Sequence, residues 1–295
     1  NLVLESYEKE EVVFVVDSYI NTEYNSLFEN HQVVVLESTE VQKSFDGVGD
    51  LVKKLLELGV TRETKLVAVG GGDSCIGSKT SINFYGYKNL LGNFYPPSNI
   101  YIDISLLDTL SPMEISSGLG ELLHYLIIDG ENSLNMFDGY MFDKLNIRDL
   151  VNKCLLIKKE FIESDEFDTG HRILLNYGHS FGHAIEGAMK NKIPHGVAVA
   201  YGMDCANYVS MRFGMMDKKD YERYNKILAK VYSTVTLSNM KTTKMISFLN
   251  KDKKNTKTSY RFILCRKAGN VFVETVDKNY DMCGLIDQWR EETCL

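Results

Sequence analysis

Three of the six histidines in this 295-residue chain fall in one stretch, LLNYGHSFGHAIEGAMKNKIPHG (174–196), at positions 179, 183 and 195; a fourth, His171, lies just upstream. His179 and His183 are four residues apart in a helical pattern, so both leave one helix face, one turn apart. His195 follows after a loop containing Pro194. Imidazoles so placed could hold a metal, move protons, or fill a core as satisfied structural groups. The pattern is not HExxH, because Ser180 follows the first histidine. A catalytic zinc takes three protein ligands and leaves one position open, and two histidines with a carboxylate form a familiar set. Glu121, on the apolar segment GLGELLHYLII, could supply that carboxylate. A charge there is costly to bury unless it is paired or ligating; a place on the helix's wet face is the alternative.

A second constellation is KLVAVGGG (65–72), a strand pattern running into Gly70, Gly71 and Gly72. Glycines at a strand end let a phosphate approach the backbone, and they serve a tight turn equally well. The GxGxxG fingerprint is absent, and Asp17 precedes the glycines instead of following them. Lys79, Lys88, Lys158, Arg172 and Lys253 are scattered cations that read as solvated surface unless the fold gathers them.

The elements that must position these residues alternate at first. EEVVFVVDSYI (10–20), HQVVVLES (31–38), KLVAVGGG and NIYIDISLL (99–107) read as strands, and FDGVGDLVKKLLELGV (45–60) as a helix. Such alternation implies a parallel sheet covered by helices. After about residue 110 the patterns are mostly helical: 112–129, 148–163, 174–190, 195–213, 218–231 and 241–250. The first of these opens with a capping box, Ser111 to Glu114, with Pro112 at its first turn. One late hairpin, SYRFILCRKAGNVFVETV, turns at Ala268-Gly269-Asn270. The expectation is an α/β domain over 1–105 and a mainly α-helical domain over 106–295.

Composition narrows the function. Apolar residues make up 44% and charged residues 25%, as in globular proteins in general. The net charge is −7 with no Lys/Arg block, which argues against nucleic acid as a partner. No apolar run approaches a membrane span, and no signal peptide is visible, although the sequence begins at Asn1 without Met. The six cysteines (75, 154, 205, 265, 283, 294) form no CxxC pair and read as reduced thiols of a cytoplasmic protein.

The segments VVFVVD, ESTEVQKS, VAVGGG, DSCIGSKTSINFYGYKNLLGNFYPP, SSGLGELLHY, IESDEFDTGHRILLNYGHSFGHAIE, IPHGVAVAYGM and KDKKN, in this order over nearly the whole chain, resemble 3-dehydroquinate synthase and its relatives, the sugar phosphate cyclases. The resemblance implies a Rossmann-like NAD-binding domain followed by a helical metal- and substrate-binding domain, generally as a homodimer in the cytoplasm. It implies a phosphate-eliminating lyase of the shikimate pathway of aromatic amino acid biosynthesis. Such an enzyme converts 3-deoxy-D-arabino-heptulosonate 7-phosphate to 3-dehydroquinate and phosphate by oxidation, elimination, reduction and aldol cyclisation. NAD and a divalent metal, Zn2+ or else Co2+, are the implied cofactors. By motif position the metal ligands are Glu121, His179 and His195, which leaves His183 for acid–base and phosphate work beside Asp168 and Lys158. Lys79, Asn89, Lys158, Arg172, Asn176 and Lys253 match substrate positions. Asp17, Glu40, Lys43, Gly71, Gly72, Asp73, Lys88 and Thr109 match NAD positions.

The chain departs from the family pattern in three places. The family carries a helix and a further strand between the glycines and DSCIGSKT, whereas here Gly72 runs directly into Asp73. His124 stands where the family usually has Lys, and Val197 where many members have Glu. Arg172 matches an arginine that binds the substrate carboxylate, which favours 3-dehydroquinate synthase over a 2-epi-5-epi-valiolone synthase-like or 2-deoxy-scyllo-inosose synthase-like cyclase. An iron- or glycerol-type alcohol dehydrogenase is a more distant alternative. A loss between Gly72 and Asp73 would remove part of both binding sites, so the expectation is that the natural protein carries a segment there. Its intact mass should then exceed 33.6 kDa; a mass spectrum at that value would show the deletion to be real.

Overall fold

The computed structural model describes residues 12–39, 41–70, 76–85, 87–138, 144–190, 192–232 and 235–293. The chain divides into two compact units, Asn1–Ile102 and Asp103–Leu295. The first is α/β and Rossmann-like, the second mainly α-helical.

The first unit holds β1 (Val12–Asp17), α1 (Ser18–Glu23), β2 (Gln32–Leu36), α2 (Phe45–Glu57), β3 (Lys65–Val69) and a hairpin of β4 (Lys79–Phe84) and β5 (Tyr87–Phe94). The parallel sheet has the order β2-β1-β3. Its central strand is apolar from Val12 to Val16, because both of its faces are covered, and ends in Asp17. Val12, Phe14 and Val16 pack with Phe28 on one side, and Val13 packs with Val34 and Leu55 on the other. The register Val16↔Val69 brings Asp17 and Gly70 together at the carboxyl ends of β1 and β3. There the Asp17 carboxylate accepts from the Tyr19 and Ile20 amides at 2.9 and 3.3 Å and starts α1.

The second unit contains α3 (Pro112–Asp129), α4 (Glu131–Asp138), α5 (Lys144–Ser164), α6 (His179–Ala188), α7 (His195–Arg212), α8 (Lys218–Tyr232), α9 (Thr242–Leu249), the antiparallel pair β6 (Ser259–Lys267) and β7 (Asn270–Asp277), and α10 (Met282–Glu292). Helix α3 begins with the capping box that its sequence spells: Ser111 Oγ accepts from the Glu114 amide, and Glu114 Oε2 accepts from the Ser111 amide. Helix α7 is the axis of the unit; every residue from Gly196 to Ser210 is buried. No helix among the described residues is long and apolar enough to cross a membrane.

Three sequence expectations need correction. Residues 99–107 form no strand. Instead, Asp103 accepts from the Ser105 amide at 2.9 Å and starts a 3-10 helix, Ile104–Thr109. A short polar side chain that caps its own backbone outweighs the β-branched neighbours. The helix expected over 174–190 is broken: a 3-10 turn, His171–Asn176, precedes α6, and Gly178 between them takes φ +79. Lys267 and Asn270 pair, so the late hairpin turns on Ala268-Gly269 alone.

One ionisable group lies at the centre of the helical core. Asp204 on α7 is fully buried. Its two oxygens accept from Trp289 Nε1 at 2.9 Å and Asn225 Nδ2 at 3.0 Å, which ties α7 to α10 and α8. Burial pushes its carboxyl up to about 6, a rise that these donors and Tyr232 limit. A folded-state pKa above the unfolded one favours the native state at low pH and loses that contribution as pH rises through about 6. Asp204→Asn removes the titration. The stability difference between wild type and variant should therefore move toward wild type by roughly 1–3 kcal/mol between pH 7 and pH 4. Urea titrations followed by the fluorescence of Trp289, the single tryptophan, measure it.

Candidate active site

The site in the helical unit begins with a backbone contact. Gly120 on α3 and Gly196 on α7 face each other so closely that a Cβ on Gly120 would lie 2.0 Å from the Gly196 carbonyl oxygen. A Cβ on Gly196 would lie 1.8 Å from the Ser117 carbonyl oxygen. Ser117 Oγ accepts from the Gly196 amide at 2.9 Å and fixes the register. The chain neighbours of these glycines, Glu121 and His195, are thereby set side by side, with His195 Nε2 3.1 Å from Glu121 Oε1.

The αL residue Gly178 supplies the third member. A positive φ there costs glycine nothing and lets α6 start abruptly at His179. His179 Nδ1 faces the Tyr177 carbonyl oxygen at 3.1 Å, so the proton belongs on Nδ1. Its Nε2 lone pair then faces Glu121 Oε1, 3.8 Å away.

Glu121, His179 and His195 thus each bring one donor atom within 4.8 Å of the other two. Nitrogen and oxygen ligands at ~2.0–2.2 Å around a tetrahedral ion lie roughly 3.3 Å apart, so the 3.1 and 3.8 Å spacings bracket what a cation needs. Glu121 Oε1 is buried, 3.1 Å from His195 Nε2 and 3.8 Å from His179 Nε2. A buried carboxylate oxygen that meets two imidazole nitrogens at these distances fits a shared cation.

The electrostatics agree with that fit. Burial would raise the Glu121 carboxyl, but the close approach of His195 and the charge of the neighbouring histidines hold it well below the usual carboxylate range. Burial drives His179 well below the ordinary histidine value, and Glu121 only partly opposes it. Burial would also lower His195, yet Glu121 and Glu186 outweigh it and raise the imidazole to about 10.

His183, one turn beyond His179, is exposed along one edge. Burial of its remaining sides and the charge of His195 lower its pKa to about 4, so it is neutral at pH 7. Its ring lies 5.5 Å from those of both His179 and His195. Among the described residues it groups as a possible ligand with Glu186 and His195, and not with His179. His124 is buried, with Nδ1 3.2 Å from the Glu121 carbonyl oxygen and Nε2 2.8 Å from that of Leu175. It links α3 to the 3-10 turn beneath His179, with the two rings 5.1 Å apart.

The other sequence-derived residues fall in two groups. In the helical unit, Lys158 on α5 and Arg172 in the 3-10 turn are buried. Arg172 Nη1 donates to the Glu166 carbonyl at 2.6 Å. The Asp165 carboxylate gathers the amides of Thr169, Gly170 and Arg172 at 2.8–3.0 Å, which shapes the loop carrying Asp168 at φ +55. These bonds, led by that from Thr169, pull its carboxyl down to about 2. Asn176 Nδ2 donates to the Ile173 carbonyl at 3.0 Å, Thr109 ends the first 3-10 helix, and Lys253 is exposed beyond α9. In the first unit, Lys79 opens β4, Asn89 and Lys88 lie in β5, and Lys43 Nζ donates to Asn89 Oδ1 at 2.6 Å. Glu40, Gly71, Gly72 and Asp73 lie outside the described residues. The sequence reading missed Ser117, Gly120 and Gly196, which have no signal in spacing. It also missed Glu186, whose signal was a carboxylate seven residues after His179 on the same helix face.

The model of the 3-dehydroquinate synthase C-terminal family matches residues 118–255, and that of the N-terminal family matches residues 73–117. A 3-dehydroquinate synthase of Alkaliphilus metalliredigens is 31% identical over 87% of this chain and 83% of its own length. The chain belongs to the 3-dehydroquinate synthase family. A 3-dehydroquinate synthase of Clostridium acetobutylicum is 30% identical over 92% and 88% of the two chains. Among solved structures, a 2-deoxy-scyllo-inosose synthase complexed with carbaglucose-6-phosphate, NAD+ and Co2+ matches with a TM-score of 0.81 and 22% identity, over 99% of this chain and 94% of that one. A 2-epi-5-epi-valiolone synthase from Streptomyces hygroscopicus with NAD+ and Zn2+ bound matches with a TM-score of 0.79 and 19% identity, over 96% of this chain and 91% of that one. These two likenesses establish a common fold.

In this family member, His179→Ala should reduce bound Zn2+ well below one equivalent, because it removes one of three converging donors. His183→Ala should leave the metal content near that of wild type. Atomic emission on dialysed protein distinguishes them, and the reverse result would reject the ligand set.

Proposed function

We propose that the chain is a 3-dehydroquinate synthase, which closes 3-deoxy-D-arabino-heptulosonate 7-phosphate to 3-dehydroquinate with loss of phosphate. The observation that carries the reading is the convergence of Glu121, His179 and His195 beside a neutral, accessible His183. Curated relatives of that name at 30–31% identity support it.

Glu121, His179 and His195 would hold a divalent cation, Zn2+ or Co2+, which when bound acidifies a substrate hydroxyl and fixes its position. NAD would take up a hydride and return it, leaving no net redox change. The first unit suits a dinucleotide, because Asp17 and Gly70 meet at the carboxyl ends of adjacent parallel strands, where open α/β sheets bind ligands. Asp17, Lys43, Lys88 and Thr109, with Glu40, Gly71, Gly72 and Asp73, are assigned to NAD on the family pattern. His183 is suited to exchange a proton with the substrate or its phosphate, since it is neutral at pH 7 and reaches solvent. Asp168 and Lys158 are its proposed catalytic partners. Arg172 would bind the substrate carboxylate; the bond to the Glu166 carbonyl orients a guanidinium suited to bidentate pairing. Lys79, Asn89, Asn176 and Lys253 complete the proposed substrate contacts. A homodimer is expected by analogy with the family.

A second reading, a cyclase for a carboxylate-free sugar phosphate, is favoured by His124, which stands at the usual lysine position with both ring nitrogens turned to backbone carbonyls. The full-length protein with NAD+ and Zn2+ should release phosphate and form dehydroquinate from the heptulosonate phosphate, without accumulating NADH. Turnover only of heptulose 7-phosphate or glucose 6-phosphate would select the second reading, and steady NADH from a simple alcohol would reject both. Arg172→Ala should lower kcat/KM for the heptulosonate phosphate roughly 10- to 100-fold, the worth of about 1.5–3 kcal/mol for charged hydrogen bonds.

A further inference from the structure

Glu186 is the one ionisable residue among the buried positions of its helix; the others are Ser180, Phe181, Gly182, Ala184 and Ile185. Its side chain is only 7% exposed, and Oε2 lies 3.2 Å from His195 Nδ1. Burying a carboxylate in such surroundings is costly unless a donor meets it, and the imidazole N–H is that donor. The two metal-facing histidines differ in how they are held. His179 is 14% exposed, enclosed by the core, with Nδ1 turned to the neutral Tyr177 carbonyl. His195 is 46% exposed and stands at the first position of α7, with a carboxylate at each ring nitrogen.

We propose that Glu186 is the positioning residue of His195. It accepts the Nδ1 proton, keeps the lone pair on Nε2, and turns that atom to the point shared by Glu121 Oε1 and His179 Nε2. The inference rests on the reading that these three residues hold a divalent cation. A carboxylate behind a ligating imidazole fixes the tautomer and raises the basicity of the ligand, and losing such a partner typically weakens metal binding by about 10- to 100-fold. Glu186 could instead be a ligand itself, because His183, Glu186 and His195 also bring donor atoms within 4.8 Å of one another. That arrangement would turn His195 Nδ1 to a second cation and spend Nε2 on Glu121, so it requires two cations or an empty main site.

Zn2+ affinity and stoichiometry, measured by competition with a chromophoric chelator, separate these cases for wild type, Glu186→Gln, Glu186→Ala and His195→Ala. Visible spectra of the Co2+-loaded proteins report the ligand set. Trp289 fluorescence reports folding. Wild type should bind one equivalent. Glu186→Gln, which keeps the shape and an acceptor oxygen, should bind one equivalent about 10- to 100-fold more weakly, with a wild-type unfolding midpoint and a shifted Co2+ spectrum. Glu186→Ala should bind more weakly still, and His195→Ala should lose the ion. Unchanged affinity and spectrum in Glu186→Gln, with loss in His195→Ala, would overturn the positioning role and leave the metal reading intact. No bound equivalent in wild type would overturn the metal reading itself. Two equivalents in wild type, falling to one in Glu186→Ala, would make Glu186 a ligand and also overturn the proposal.

Discussion

Helices α3 and α7 touch backbone to backbone, and the geometry of the helical unit's site follows from that contact. Neither Gly120 nor Gly196 has room for a Cβ, since the nearest carbonyl oxygen would lie 2.0 or 1.8 Å away. A methyl group at either position must push the helices apart. Overpacking of this kind costs about 1–3 kcal/mol, which a core this size could survive. The proposed metal site would not survive it in the same way, because ligand distances to a cation are held to within about 0.2 Å. Glu121 and His195 are each the direct neighbour of one of these glycines, so helix separation translates directly into separation of these two side chains. The Ser117–Gly196 hydrogen bond sets the remaining freedom, the sliding of one helix along the other.

Charge placement reinforces the same point. His195 stands between two carboxylates, Glu121 at Nε2 and Glu186 at Nδ1. His179 is enclosed and driven toward its neutral form. The histidines therefore do not share one character: one is flanked by two carboxylates, the other is turned by a neutral carbonyl to present a lone pair. Two carboxylates around one half-exposed imidazole make an electronegative pocket that a divalent cation can neutralise. The Asp204 carboxylate on the same helix α7 behaves oppositely. It meets only neutral donors, its carboxyl moves up instead of down, and it serves the packing of α7, α8 and α10.

Part of this arrangement could be read from the sequence and part could not, for identifiable reasons. The central strand VVFVVD and the capped start of α3 are local signals, five apolar residues in a row in one case and Ser-Pro-x-Glu in the other, and both elements form there. The spacing of His179 and His183 also reads correctly as one helix face, but a shared face does not imply a shared ligand. The abrupt start at Gly178 and the Tyr177 carbonyl aim His179 at Glu121, while His183 stays one turn away beside Glu186. Spacing carries no information about a positive φ at residue 178 or about two glycines that meet across 76 positions of sequence, since both are decided by tertiary contact. Residues 99–107 failed as a strand for the converse reason: a local Asp103 cap overrode an apolar run that pairs with no strand among the described residues.

The first unit presents a similar coupling by a different route. Lys43, assigned to NAD by the family pattern, and Asn89, assigned to substrate, are joined at 2.6 Å, and Ser81 Oγ donates to the same Asn89 oxygen at 3.0 Å. Asn89 takes φ +51, a left-handed conformation that asparagine tolerates better than most residues. With two donors on its carbonyl oxygen, its amide nitrogen has one assigned orientation, and the backbone geometry limits how far it can swing. A side chain fixed in this way cannot adjust to a ligand without disturbing Lys43. The two assignments are therefore not independent, and substitution at either position should be felt at both.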